Sequence, residues 1–516
     1  MPAQNPRVAV ELKVPNVGTP GEREAEELVD NVTTLSVRAY KVRIEYNNHN
    51  AADECSIECS IDDAGIDPRF LRNAEVYVYL DDIGTSPFDI VPTVGRGDLR
   101  TGNLRFLGIV TAVERMLSEQ SKHVVIRAQD YTCLFLQHKS GFSPKHLPSY
   151  SDTLASAWAK ICDGTGYLTF DTLPPSIVST VSELRNRIVF EPPTLAVLTL
   201  GSAVSPRASL SSAKVQIPHT EGCDAWAVWQ HIVGALGLIT FIRGSQCVVT
   251  TATDFYSGDD PPRMIWGLNI AEIHETRDQH AVSAKNICIY SFNPFTGTHL
   301  ESFYPPKGDI TPKGRGKKKI GASALGPGIT LRAQDYEVFQ CPMAISDQAA
   351  LDKYAERVWQ EHGRQELKGT LKTPVAAAWT NDDFAIGVTT GNVSALPALP
   401  PSFSLLGLQA GDRIRIEIDQ AAFTLVQAMP SLQGRIGALI QRGYSPTMAQ
   451  FICKNLSAIQ SVSPEYQVHS STIDFEVSSD GGKFEVTIDY LNRVYVSGSA
   501  KPGDGVRIPA IEGVPL

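Results

Sequence analysis

Residues 35–46, LSVRAYKVRIEY, alternate apolar and polar side chains almost without a break. A period of two marks a strand with one buried face and one wet face. The spacing puts Val42, Ile44 and Tyr46 on a single face. Four further segments repeat the pattern: ECSIECSI (54–61), AEVYVYL (74–80), RFLGIVTAVERM (105–116) and KHVVIRAQ (122–129). All are rich in β-branched or aromatic residues, which suit a pleated, half-buried surface. Five such segments ending at Gln129 predict a small antiparallel barrel or sandwich. Upstream, residues 1–30 read as a leader with a short acidic helix at GEREAEELVD (21–30).

Downstream the period changes. Ser151 or Asp152 can cap a helix through TLASAWAKICDG (153–164), with Leu154, Trp158, Ile161 and Cys162 on one stripe and Gly164 closing it. A second helix starts near Asp224, with Trp226, Trp229, Val233 and Leu236 sharing a face and Gly237 at its end. LITFIR, GSQ and CVVT then read as a hairpin. The run 225–242 carries no Asp, Glu, Lys or Arg, but Gln230, His231, Gly234 and Gly237 interrupt it. It reads as a buried helix entering a strand rather than a membrane span. Strands return with MIWGLNIAEIHE (264–275), KNICIYSFNP (285–294), ELKGTLKT (366–373) and DRIRIEI (412–418). Ser346 is placed to cap a helix with Leu351, Tyr354, Ala355, Val358 and Trp359 as its stripe. Another helix is expected over 446–461, and TIDFEV-SSDGG-KFEVTIDY (472–490) is the clearest hairpin. The octapeptides IRAQDYTC (126–133) and LRAQDYEV (331–338) echo each other. The echo fits either two related β domains or coincidence at two strand ends.

A chain of 516 residues implies about three to five domains at roughly 100–200 residues each. Apolar residues at 42% and charged residues at 20% exclude collagen-like, coiled-coil and disordered classes. A net charge of −10 argues against a general nucleic-acid coat. The N-terminus lacks a basic segment followed by an apolar run, so no secretory signal is expected. Nine scattered cysteines with no CxxC pair read as buried free thiols rather than a zinc site.

Positive evidence for catalysis is absent. In HETRDQH (274–280) the two histidines are six apart, where one metal on a helix needs four. GRGKKK (314–319) fails the phosphate-loop spacing because position 311 is Thr, and it reads as part of an exposed basic loop. Ser323 lies in GASALG, without the spacing of a nucleophile elbow. The pairs Asp81–Asp82, Asp259–Asp260 and Asp382–Asp383 stand in turn-like contexts. No catalytic, cofactor-binding or metal residue is assigned, and no cofactor is expected.

Four segments, in order, resemble a known family. FLGIVTAVERMLSEQSKHVVIRAQD (106–130) is similar to the strand, hairpin and return strand of phage tail hub proteins. DAWAVWQHIVGALGLITFIRGSQCVV (224–249) resembles their helix and following hairpin. KNICIYSFNPFTGTHLESFYP (285–305) is similar to the strand and turn that come next, and LQAGDRIRIEI (408–418) to a late barrel strand. The family is the baseplate hub of contractile phage tails, the late-control protein D-like hubs, related to the hub portion of type VI secretion spikes.

The resemblance implies a β-dominated α+β fold with two tube-protein-like antiparallel β-barrels and smaller α/β insertions. The corresponding division is a leader 1–30, a first β-barrel 31–140, an α/β insertion 141–255 and a second barrel with an inserted loop and helix 256–420. Residues 421–516 then hold a helical insertion, the closing hairpin of the second barrel and an extended tail. It further implies a homotrimeric structural ring, without enzymatic activity, adapting a sixfold tail tube to a threefold central spike. The implied partners are the tail tube protein, central spike protein, tape-measure protein and baseplate wedge proteins. DNA would pass through the lumen without specific binding, helped by the acidic charge, in a virion assembled in the host cytoplasm. The sequence leaves open a cell-wall or polysaccharide-degrading tail enzyme and a host-surface adhesin.

Overall fold

The structure is a computed structural model. It describes residues 7–15, 32–47, 51–60, 71, 74–81, 104–117, 122–137, 152–169, 182–191, 224–235, 238–251, 261–265, 268–277, 287–293, 297–304, 337–341, 348, 351–352, 355, 367–374, 377–378, 403–410, 412–417, 429–441, 444–454, 465–478 and 481–492.

Seven strands open the chain: β1 (Arg7–Pro15), β2 (Val32–Val37), β3 (Ala39–Tyr46), β4 (Glu54–Ser60), β5 (Glu75–Asp81), β6 (Leu104–Leu117) and β7 (Lys122–Gln129). Arg7–Pro15 is therefore a strand, where the sequence suggested only a leader. It lies between β5 and β2 and pairs antiparallel with both. Its alternation RVAVELKVP was legible, but it stood apart from the main run of strands. The seven strands are ordered β3-β4-β7-β6-β5-β1-β2. β2 and β3 lie at opposite ends of this order, yet only Arg38 separates them in the chain. One residue spans at most about 7 Å between flanking Cα atoms. The sheet must therefore curl until its ends meet at that corner, which makes it a barrel. Val42, Ile44 and Tyr46 all face its core, none more than 1% exposed.

The next region packs on the outside of that barrel. It holds α1 (Thr132–Leu136), α2 (Leu154–Thr169), β8 (Ile188–Glu191), α3 (Ala225–Ala235), β9 (Leu238–Arg243) and β10 (Gln246–Thr251). β9 and β10 form the expected hairpin, turning at Gly244 with φ 58°, and β8 joins β10 in parallel. Trp158, Trp226 and Trp229 are buried with Phe135, and Trp158 lies 5.1 Å from both Phe135 and Trp229. The indole N–H groups find partners, Trp158 on Leu184 O at 2.8 Å and Trp229 on Thr240 Oγ1 at 2.9 Å. Tyr77, Tyr79, Leu107 and Ile109 join this cluster from the outer face of β5 and β6. That is why AEVYVYL reads as almost continuously apolar: both faces are covered. Two sequence expectations change here. Thr153 caps α2, its Oγ1 accepting from Ser156 N at 3.2 Å, while Asp152 instead pairs with Lys160 at 2.7 Å. Gly164 is interior to α2 rather than its end. Leu236 and Gly237 lie outside the described residues.

The remaining strands are β11 (Arg263–Ile265), β12 (Glu272–Arg277), β13 (Ile287–Asn293), β14 (Thr298–Tyr304), β15 (Glu337–Gln340), β16 (Leu367–Thr373), β17 (Ala377–Ala378), β18 (Phe403–Ser404) and β19 (Arg413–Glu417). Helices α4 (Leu432–Gln441) and α5 (Pro446–Lys454) precede β20 (Glu465–Ser478) and β21 (Gly481–Asn492). The helix expected over 446–461 is thus seen to Lys454 and is joined by a second one upstream. β14-β13-β15 and β17-β18 are small separate sheets. The others run β12-β16-β21-β20, with β19 and then β11 continuing from β20. Again two sequence neighbours, β11 and β12, sit at opposite ends. Their corner is tied by Asn269, fully buried, whose Oδ1 accepts from Ile265 N at 2.6 Å.

The two curled units match strand for strand. Reading β2, β3, β4, β5, β6, β7 against β11, β12, β16, β19, β20, β21 gives the same order, with β1 as the one addition. Both 14-residue strands, β6 and β20, carry a bulge against their hairpin partner, between Val110 and Ala112 and between Val468 and Ser470. At the bulge Val110 N donates to Ala74 O at 2.9 Å, and Val468 N to Asp412 O at 2.8 Å. One cross-sheet row reads Ile44–Cys55–Ala128–Val110 in the first unit and Glu275–Gly369–Tyr490–Val468 in the second. Volume is exchanged within that row: Cys55 and Ala128 become Gly369 and Tyr490. A Cβ on Gly369 would lie 2.2 Å from Tyr490 Cζ, so the ring occupies the space of the missing side chain. The RAQD echo is not the trace of this duplication, because the counterpart of β7 is β21, whereas LRAQDYEV runs into β15.

The units are joined edge to edge. β20 pairs antiparallel with β3, Ser471 facing Tyr46 through Glu476 facing Lys41. One apolar cluster runs through both, from Val10, Ile44 and Ile126 to Ile414, Ile488 and Tyr490. The whole is a β-dominated α+β fold built on a 13-stranded sheet that is antiparallel except for the β11–β19 pair.

Candidate functional site

The register that pairs Glu54 with Gln129 brings Asp53 and Asp130 opposite each other just beyond β4 and β7, with Asp130 N donating to Asp53 O at 3.0 Å. Asp130 opens α1: its Oδ1 accepts from Thr132 N at 3.1 Å and its Oδ2 from Thr132 Oγ1 at 2.9 Å. Asp53 Oδ1 accepts from Asn47 N at 2.8 Å. Tyr46 closes the other side, its hydroxyl donating to Arg105 O at 2.6 Å. Burial and the Asp130 charge together push the Asp53 carboxyl well above the usual carboxylate range. Burial pushes Asp130 up to about 7, against the pull of the Thr132 hydrogen bonds.

A cavity of about 20 Å³ lies here, walled by Tyr46, Asp53 and Asp130 of the first unit, Trp226 and Phe241 of the outer layer, and Gln409 beside the second unit. That volume suits about one water molecule. Ligand pockets run to roughly 300–1,000 Å³, so no organic substrate fits this one. The acid pair therefore acts as a junction where three parts of the molecule meet. Nothing in composition could show this, although D-x-T after a strand is a readable turn signal.

The segments considered from sequence are dispersed. His274 is exposed on β12, and neighbouring Glu275 accepts the Tyr490 hydroxyl at 2.8 Å. His280, the basic loop 313–319, Ser323, Asp82, Asp259, Asp260, Asp382, Asp383 and the cap Ser346 lie outside the described residues. Among the described residues no three His, Cys, Asp or Glu side chains gather as a metal centre. Eight cysteines are described, all buried and unbridged, and burial raises the thiol of Cys247 to about 12. Among the described residues no helix is long and apolar enough to cross a membrane.

No protein-family model and no curated protein matches this chain. Solved structures do resemble it. The tail protein from Neisseria meningitidis MC58 is 11% identical with a TM-score of 0.48, covering 94% of this chain and 96% of that one. The 43 kDa tail protein of prophage MuSo2 from Shewanella oneidensis is 10% identical with a TM-score of 0.45, covering 94% and 99%. Prophage tail protein gp18 from Listeria monocytogenes EGD-e is 10% identical with a TM-score of 0.39, covering 95% and 96%. Likeness at this distance decides no function.

Proposed function

We propose that this chain is a structural hub of a phage-type tail baseplate. Three copies would form a ring that adapts a sixfold tail tube to a threefold central spike, and DNA would pass through its lumen. The observation that carries the reading is the duplication: one polypeptide holds two curled β units of the same strand order and the same bulge. Six equal units are what a sixfold cylinder requires, and three chains of two supply them. The ordered motifs at 106–130, 224–249, 285–305 and 408–418 point the same way. On this reading the chain acts by contact with the tail tube, spike, tape-measure and wedge proteins, and catalyses nothing. It would belong to the virion tail and be assembled in the host cytoplasm. Light scattering on the purified chain, alone and with its spike protein, tests this. Three chain masses support the hub, and a monomer under both conditions refutes it.

A further inference from the structure

The edge of β20 does two jobs. Residues 465–467 pair with β19, and beyond the bulge residues 471–476 pair with β3 of the other unit. The counterpart edge on β6 does only the first. Leu104–Ile109 pair with β5, and among the described residues no strand lies along that edge over 112–117. β12, the counterpart of β3, pairs with β16 on one edge and is the last strand of the order on the other. The molecule thus carries both halves of an internal junction a second time, on separate sides.

We propose that these two edges pair between copies of the chain, β6 of one copy antiparallel to β12 of the next, in the register that joins β20 to β3. The common bulge aligns Ala112 with Ser470, and the common cross-sheet row aligns Glu275 with Ile44. Transferring the β20–β3 ladder then sets Val113 opposite Arg277, Glu114 opposite Thr276, Arg115 opposite Glu275, Met116 opposite His274 and Leu117 opposite Ile273. One rung of that ladder joins opposite charges and one joins apolar residues. Arg115, exposed within one chain, meets Glu275. Two positions on, the register sets Leu117 opposite Ile273. The same two rows inside the chain hold Ile473 opposite Ile44 and Phe475 opposite Val42. Opposite charge also marks the internal junction on its other face, where Arg43 lies 3.9 Å from Asp474.

The pairing is head to tail, so each added copy presents a fresh β6 edge, and the series ends only when the ring closes. It also covers two strand edges that no described strand covers. Closure at three copies rests on the hub reading, whereas the register rests on the duplicated strands alone.

The test uses the full chain carrying Glu114→Cys and Thr276→Cys, residues that the ladder brings face to face and that lie away from the buried native thiols. Oxidation should link chains covalently, ending in a closed species, and Glu114→Cys with His274→Cys, two residues out of register, should not. Arg115→Glu should weaken assembly by about tenfold or more, and Arg115→Glu with Glu275→Arg should restore it. Because Glu275 also holds Tyr490, circular dichroism checks the double variant, and the cysteine pair stands independently of it. A folded chain that neither cross-links at 114 and 276 nor responds to Arg115→Glu overturns the pairing even if it is trimeric. Cross-linking in register that closes at a number other than three overturns the hub and leaves the pairing intact.

Discussion

Gly369 shows how one residue records the duplication. Where the first unit has Cys55 against Ala128, the second has no side chain against a tyrosine. Gly369→Ala is expected to destabilise the chain by about 1–3 kcal/mol through overpacking against the Tyr490 ring, read as a lower urea midpoint. Gly369→Cys combined with Tyr490→Ala, which imports the pair from the other unit, should cost less than the two changes summed. Asp130 gives the pH dependence. Its folded-state value is raised to about 7 from the ordinary 3.8, so folding is favoured by the protonated acid. The benefit is complete below about pH 4 and is lost as the pH rises through about 7. Asp53, buried against it and also raised, adds in the same direction, while Asn47 and Thr132 oppose both with their hydrogen bonds. Asp130→Asn keeps an acceptor for Thr132 N, and melting curves should show wild type losing stability relative to this variant between pH 4 and 8. Parallel pH profiles would remove the acid pair from the account.

Elements were legible where their pattern was local. Most strands of both units, the α2 and α3 stripes and the 472–490 hairpin follow from period and turn residues, but LSVRAYKVRIEY breaks at Arg38 into β2 and β3, and MIWGLNIAEIHE divides into β11 and β12. β1 was missed although RVAVELKVP alternates, because its partners β5 and β2 lie far along the chain and β pairing is not a local signal. Leu12, fully buried on β1, decides the matter: Leu12→Ala should cost about 2–5 kcal/mol in denaturant unfolding. A mere leader would show no change. In α3, Trp229→Ala should cost about 3–5 kcal/mol in denaturant unfolding, although Thr240 Oγ1 keeps its bond to Val248 O at 2.9 Å. The junction at Asp53 and Asp130 was not legible, since it depends on three regions converging from residues 46 to 410.

At the scale of the whole molecule, equivalence between units is the governing fact. The outer faces differ where their surroundings differ. Tyr77 and Tyr79 on β5 support the helical layer, while the same positions on β19 are Arg415 and Glu417. The strand order and the bulge stay alike, while the core-facing residues exchange volume and polarity. On the proposed hub reading, the chain's charge of −10, repeated around a ring, would repel passing phosphate rather than bind it. All of this turns on two equal units per chain closing a cylinder. End-on electron microscopy of the assembled protein tests it most directly. The expected image is an annulus of six similar β lobes contributed by three chains, and a solitary two-lobed particle, or a ring whose lobes do not number six, would contradict it.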